Sequence, residues 1–178
     1  MKLPRQQKSR ETEEGSSDVD IAKYGERAFY PGNLEDDKTF KKFIKSSEMI
    51  IRRSPELRAY IQYLKDELDL RHCIFFHGID PLDVSIELHH YPFSLYDLTE
   101  IITRSFLRNG TPLSTFSVAY QVVRLHYETR VGLVPLTKTA HDLAHAGKVY
   151  IPLTAVHGDV RSFLEEYQLD VGSQLLLR

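Results

Sequence analysis

The sequence predicts an α+β domain in which helices dominate and strands are short. Apolar residues recur at the three- and four-residue spacing of a buried helix face in several stretches, whereas apolar runs of strand length occur only between residues 73 and 153. The 178 residues suffice to bury one core, and 42% hydrophobic with 27% charged residues is typical of a globular chain. A second full domain is not expected.

Composition excludes several classes of protein. The single cysteine, Cys73, rules out an internal disulfide and a zinc site built from several cysteines. No apolar run approaches the roughly 18 residues of a membrane span, and the first residues lack the apolar core of a signal peptide. We therefore expect a cytoplasmic protein with no membrane partner. Because 23 basic residues face 25 acidic ones, any contact with nucleic acid must come from a local site.

Four segments follow from the distribution of apolar residues along the chain. Residues 1–20 are polar and charged with almost nothing to bury, which predicts a disordered tail. Residues 21–70 are expected to form a helical N-terminal region, and residues 71–155 contain the strands and most of the histidines. Residues 156–178 are expected to form a C-terminal helix and tail. A functional site is therefore expected in the third segment.

The N-terminal region carries signals for two helices. Over residues 34–47, Phe40 and Ile44 fall on one face of a helix. The next helix is expected to start after Ser54, which can cap it, with Pro55 at the first helical position.

Two short strands are expected next, joined as a hairpin. Residues 73–77 and 84–88 are apolar runs of strand length, and residues 78–81 carry the Gly and Pro of a turn. The second strand runs directly into His89 and His90.

Two helices are then expected within residues 94–130. Ser94 and Asp97 have the spacing of a capping box, and the first helix should end at Asn109 and Gly110. A second helix is expected over residues 115–129.

The last elements alternate between strand and helix. Residues 133–136 form a short apolar run, and Thr137 can cap a helix that extends to Ala146. Residues 150–153 are expected at a sheet edge, and residues 159–167 as a final helix.

The grouping of histidines is the most informative feature of the sequence. His141 and His145 are spaced four residues apart on a predicted helix, so both rings can reach one metal ion. His89 and His90 follow Glu87 at the end of a predicted strand, where adjacent side chains point to opposite faces. One of them can therefore bind metal while the other acts as a base.

These two groups resemble the motif of the HNH, or ββα-metal, nucleases, most closely the DNase domains of colicin-type toxins. The similarity covers roughly residues 84–150, in two pieces. It is carried by Glu87-Leu88-His89-His90, by the apolar strand with Val134, by Thr137-Lys138 leading into His141, and by His145-Ala146-Gly147-Lys148. The resemblance implies a ββα-metal core within residues 71–155, split by a helical insertion at about 94–130.

The resemblance also implies a function, a metal-dependent endonuclease that hydrolyses phosphodiester bonds in DNA. His89, His141 and His145 would bind one divalent ion, which could be Mg, Mn, Ni or Zn. His90 would be the general base, and Glu87 would hold a metal-binding imidazole by a hydrogen bond.

Four basic residues near the second histidine group are candidates for phosphate contacts. They are Arg124, Arg130, Lys138 and Lys148. Such contacts would bind DNA without reading its sequence. The alternative is that they are solubilising surface charges.

Two departures from the motif leave other functions open. Gly132 stands where the nuclease family has its middle Asn, and the segment between the two histidine groups is about twice the length of the compact motif. A catalytically degenerate HNH-like regulatory protein, from a phage or mobile element and acting through a protein partner on its helices, is therefore the main alternative. A phage origin would place it in the host cytoplasm. A hydrolytic zinc site for a small molecule ranks last, because Asp142 follows His141 where a zincin motif has glutamate.

Overall fold

A computed structural model describes residues 34–172 of the chain. Its elements occur in the order α1 (Asp37–Arg53), α2 (Pro55–Asp66), β1 (Ile86–His90), α3 (Leu95–Asn109), α4 (Thr115–Tyr127), β2 (Leu133–Thr137), α5 (Lys138–His145), a 3-10 turn (Leu153–Ala155) and α6 (Val160–Tyr167). Over this range the fold is α+β, with six helices and one two-stranded sheet, so the predicted fold class is confirmed at that level. The tail predicted for residues 1–20 lies outside the described residues.

Helix starts follow the capping residues in the sequence. Ser54 accepts a hydrogen bond from the backbone of α2, which has Pro55 at its first turn. Ser94 and Asp97 form the predicted capping box, each side chain accepting from the other's backbone N–H. Gly110 ends α3 in the left-handed region, at φ 64°. The first helix is longer than predicted, because Ile51 continues its buried face.

We call the part of the fold built from α1, α3, α4 and α6 the helical body. α1 packs against α3 and α4, and α6 packs against α3. Their apolar faces make one large core, whose most buried members include Ile44, Ile51, Leu98, Ile101, Ile102, Val118, Val122, Leu125 and Phe163. An ion pair between Arg108 and the buried Asp170, with N···O 2.7 Å, ties the end of α3 to the segment after α6.

We call the part built from β1, β2 and α5 the histidine region. β1 and β2 are antiparallel, with His89 opposite Val134 and Glu87 opposite Leu136. Its apolar core is small and consists of Cys73, Ile86, Val134, Leu136, Ala140 and Ile151. A third cluster, in which Tyr60 and Leu64 of α2 surround Leu133, joins this region to the rest of the fold.

The predicted hairpin is wrong, because β1 pairs with β2 and residues 73–77 form no strand. The backbone N–H of Ile74 does donate to the carbonyl of Pro135, at 3.2 Å. Proline has no N–H, so Pro135 cannot donate a second hydrogen bond to the segment 73–77. That segment therefore does not extend the sheet as a third strand.

The predicted edge strand over residues 150–153 is also absent. That stretch leads into the 3-10 turn, and Ile151 is buried in the small core. His157 takes the place beside β2 instead, exchanging two backbone hydrogen bonds with Leu133 at 2.8 and 2.9 Å.

Gly132 has a structural role at the entrance to β2. Its carbonyl accepts a hydrogen bond from Tyr91, at 3.0 Å. A Cβ at this position would overlap the Tyr91 carbonyl oxygen and lie 2.7 and 2.8 Å from methyl groups of Val160 and Val156. Neither asparagine nor alanine fits here, which explains the glycine in terms of packing.

Candidate metal centre

Three histidines from two elements converge at one point of the histidine region. His89, His141 and His145 each offer a ring nitrogen, and these nitrogens all lie within 4.8 Å of one another. The ring centroids are 4.9 Å apart for His89 and His141, 4.8 Å for His89 and His145, and 4.5 Å for His141 and His145. The structure thus brings together the three residues that the sequence predicts as metal ligands.

The order of β2 and α5 explains this convergence. Thr137 is both the last residue of β2 and the cap of α5, so the helix starts at the edge of the sheet without a loop. His141 and His145 then lie one turn apart on the helix face toward β1, where His89 is located.

Glu87 holds the ring of His141. A carboxylate oxygen of Glu87 lies 2.6 Å from Nδ1 of His141, so this nitrogen carries a proton and donates a hydrogen bond to the carboxylate. With the proton on Nδ1, Nε2 is the nitrogen that can offer a lone pair to a metal ion. The sequence predicts this role for Glu87.

The spacing of the two helix histidines matches a metal site. Nε2 of His141 lies 3.1 Å from Nε2 of His145. Two nitrogens bound to a tetrahedral ion at about 2.0–2.1 Å would lie about 3.3–3.4 Å apart. The two rings therefore need only a small movement to share an ion.

His89 is held in its neutral form. Burial, and then the neighbouring His141 and His145, lower its pKa to about 4. A neutral imidazole is the form that binds metal, so His89 offers a lone pair at neutral pH.

His90 is engaged in a different contact. Its Nε2 lies 2.9 Å from Nε2 of His126, and Nδ1 of His126 donates to the carbonyl of Val122 at 2.8 Å. Burial lowers the pKa of His126 to about 4, so that ring is neutral and its Nε2 can only accept. Nε2 of His90 must therefore carry the proton. In His90, the residue that the sequence predicts as a general base, Nε2 is therefore a hydrogen-bond donor to His126.

His126 is the residue whose polar role the sequence analysis missed. It lies within the helix that the sequence predicts over residues 115–129, and it is fully buried on α4. A buried imidazole requires hydrogen-bond partners for its nitrogens. The sequence could therefore have indicated that His126 has polar partners. It could not have identified His90 of β1 as one of them, because the two residues are 36 positions apart.

The four predicted phosphate-binding residues are not gathered at the histidines. Arg124 pairs with Glu128 at 2.6 Å, Arg130 with Glu166 at 2.5 Å and Lys138 with Asp142 at 3.3 Å. Lys148 is exposed. None of the four lines the cleft beside the histidines.

That cleft has a volume of about 290 Å³. A basic residue that the sequence analysis did not select, Arg52 of α1, lies at its wall. The remaining walls come from Leu57, Ile61, Glu87, Leu88, His90, Ser94 and Leu95, beside the three converging histidines.

The fold and this cluster define a small α+β protein with a three-histidine candidate metal centre. A family model described as bacteriophage G278-like virion protein matches residues 3–176. The chain therefore belongs to the bacteriophage G278-like virion protein family. No curated protein matches the chain. No solved structure matches it either.

The family match corrects the predicted recognition and function. The chain is a member of a virion protein family across nearly its whole length, so its assignment to the HNH nucleases is wrong, and so is the DNA endonuclease function. The alternative, a degenerate HNH-like regulatory protein, is not supported either. The predicted link to phage is confirmed.

Among residues 34–172, every helix is too short or too polar to cross a bilayer.

Proposed function

We propose that this protein is a structural component of a phage particle and that one divalent metal ion, bound by His89, His141 and His145, braces its histidine region. The observation that carries the metal proposal is the convergence of three ring nitrogens within 4.8 Å. Family membership supports the place in the particle.

Surface composition is consistent with a position among other proteins. Ile50 is 39% exposed, Phe116 48% and Tyr120 45%, and all three line one groove between α1 and α4. Large exposed apolar side chains gathered in a groove are typical of protein contact surfaces. A chain with net charge -2 has no corresponding excess of positive charge for packaged nucleic acid.

The donor set favours particular metals. Three imidazoles suit zinc, nickel, cobalt or copper, whereas magnesium and manganese favour oxygen ligands. Of the four metals considered from the sequence, we therefore select zinc and nickel. Glu87 on His141 supplies the carboxylate–histidine contact that orients ligands in such sites.

The ion would act as a cross-link between β1 and α5. Ala140 is the one fully buried residue of this eight-residue helix, so apolar packing holds α5 weakly. Isolated helices of this length are unstable in water. A metal bond from His141 and His145 to His89 would fix α5 against the sheet in the way that apolar contacts fix longer helices.

Metal content tests the site. Purified protein, loaded with Zn²⁺ and dialysed, should retain one equivalent by elemental mass spectrometry, and His89→Ala or His145→Ala should retain almost none. His77→Ala is the matched control, because His77 is exposed and outside the cluster. Equal metal content in His145→Ala and in the wild-type protein would refute the site.

Protein analysis of the particle tests the structural role. We expect mass spectrometry of gradient-purified phage particles to detect this chain at a constant ratio to the major capsid protein. Recovery of the chain only from the particle-free lysate would contradict the role.

A further inference from the structure

We infer that the bound metal keeps one coordination position open to the cleft, and that this position accepts a carboxylate side chain from a neighbouring protein of the particle. This inference rests on the proposed metal site. It adds the chemistry of the ligand that completes the site.

The described part of the chain supplies three ligands and no fourth. The carboxylate of Glu87 contacts the cluster, but its bond to Nδ1 of His141 places it behind that ring. Nε2 of His90 is committed to His126. Zinc sites with four protein ligands are closed, whereas sites with three keep a position for an external ligand.

The charge at this position favours an anion. Three neutral imidazoles leave both positive charges of the ion uncompensated, and Glu87 offsets one of them from behind His141. Arg52 adds a positive charge at the cleft wall. Its Nε and Nη2 contact one oxygen of Glu48, at 3.0 and 2.7 Å, while Nη1 makes no hydrogen bond among residues 34–172.

The side chain of Arg52 lies at the cleft wall and is largely exposed. With 60% of its side chain exposed, Arg52 can turn toward an incoming ligand at little cost.

The size and walls of the cleft fit one acidic side chain. At about 290 Å³ it lies at the lower limit of small-molecule pockets, which span about 300–1,000 Å³. Leu57, Ile61 and Leu95 give it apolar walls that can pack against the methylene groups of Asp or Glu. A nucleic-acid backbone would need further cations, and Arg124, Arg130, Lys138 and Lys148 lie outside the cleft.

Cobalt(II) provides the test, because its visible absorption reports on its ligands. The full chain loaded with Co²⁺ is titrated with acetate, glutarate and inorganic phosphate at constant ionic strength. We expect a saturable spectral change with both carboxylates. Arg52→Gln should weaken carboxylate binding by about two- to fivefold, as expected for an exposed charge pair.

Arg53→Gln is the matched control. Arg53 is the next residue along α1 and lines the other groove, so its loss should leave the titration unchanged.

Each remaining outcome identifies what has failed. If the chain binds no Co²⁺, the proposed metal site is wrong. If it binds Co²⁺ with a spectrum that no carboxylate changes, the metal site stands and the inferred open position is wrong. Tighter binding of phosphate than of carboxylate would overturn the assignment to an acidic protein side chain. Equal losses in Arg52→Gln and Arg53→Gln would exclude a specific role for Arg52.

Discussion

The helical body and the histidine region are stabilised in different ways. In the helical body, four helices bury long apolar faces in one continuous core. In the histidine region, six buried residues form the core, and α5 contributes one of them. Apolar packing dominates in the first, whereas the second brings three histidines together beside a small core. Under the proposed function, coordination would hold the short helix α5 where little apolar area is buried.

The buried polar groups of the two regions also differ in where their partners lie. In the helical body, Thr99 and Thr103 donate to backbone carbonyls of their own helix, each at 2.7 Å. In the histidine region, ring nitrogens face one another across elements. The hydroxyls of Thr99 and Thr103 are thus satisfied within their own helix, while the clustered ring nitrogens of the second region lie where one ligand could join them.

The largest effect is expected from the core of the helical body. Phe163 is 1% exposed and contacts the rings of Phe93 and Tyr167, at centroid distances of 5.6 and 4.9 Å. Phe163→Ala should lower the free energy of unfolding by about 3–5 kcal/mol, measured by urea denaturation. Zn²⁺ content under native conditions should not change. Loss of the metal in this variant would show that the two regions are not independent.

Metal binding should produce the next largest effect, confined to the histidine region. At a free Zn²⁺ concentration 1,000 times the Kd, the ion should add about 4 kcal/mol of stability. Hydrogen exchange should show new protection in α5 and little in α3, and EDTA should reverse it. A thermal shift of the same size in His145→Ala would contradict this prediction.

Acid should weaken the contact between the regions through His126. Its pKa is about 4 in the folded protein and about 6.5 when unfolded, so the unfolded chain binds the extra proton. The contribution is complete above about pH 6.5 and is lost as the pH falls toward about 4. At pH 5 the loss should be on the order of 2 kcal/mol, measured by urea denaturation with EDTA present.

Two variants separate this histidine from the others. His126→Gln should remove this part of the dependence of stability on pH and leave the part due to His89 and His90, whereas His77→Ala should leave the whole dependence unchanged. If His126→Gln does not fold, an NMR titration of the wild-type ring gives the pKa directly, and a value near 6.5 would refute the prediction.

The smallest effect is expected on the surface of α5. Lys138 and Asp142 are 73% and 62% exposed and form an i,i+4 pair. Lys138→Ala should change stability by less than about 0.5 kcal/mol and leave metal affinity nearly unchanged. A large loss of metal would give Lys138 a role in the site that its exposed position does not indicate.

Much of the secondary structure was predictable, because its signals are local. Ser54, Ser94 and Thr137 mark helix starts through bonds to residues three positions away, and the structure has each of these caps. The hairpin was not predictable in the same way. Strand pairing depends on distant partners, and Pro135 blocks the ladder from the side that residues 73–77 occupy.

The candidate site was predictable as a set of residues, while the function inferred from it was not. The spacing of His141 and His145 places both on one face of any helix, and His89 joins them here. The same arrangement of imidazoles can occur in unrelated proteins, so it favours a metal site and does not identify a family. The nuclease assignment failed for that reason.

The sequence by itself determined the helices, their caps and the pair of histidines on α5, because each depends on residues a few positions apart. Only the tertiary structure decided that β1 pairs with β2, which brings the predicted His89 to the cluster, and that His90 bonds to His126. These contacts join residues 36 to 56 positions apart in the chain. The physical reason is that such contacts form only when the whole fold packs, so a pattern of residues a few positions apart does not predict them.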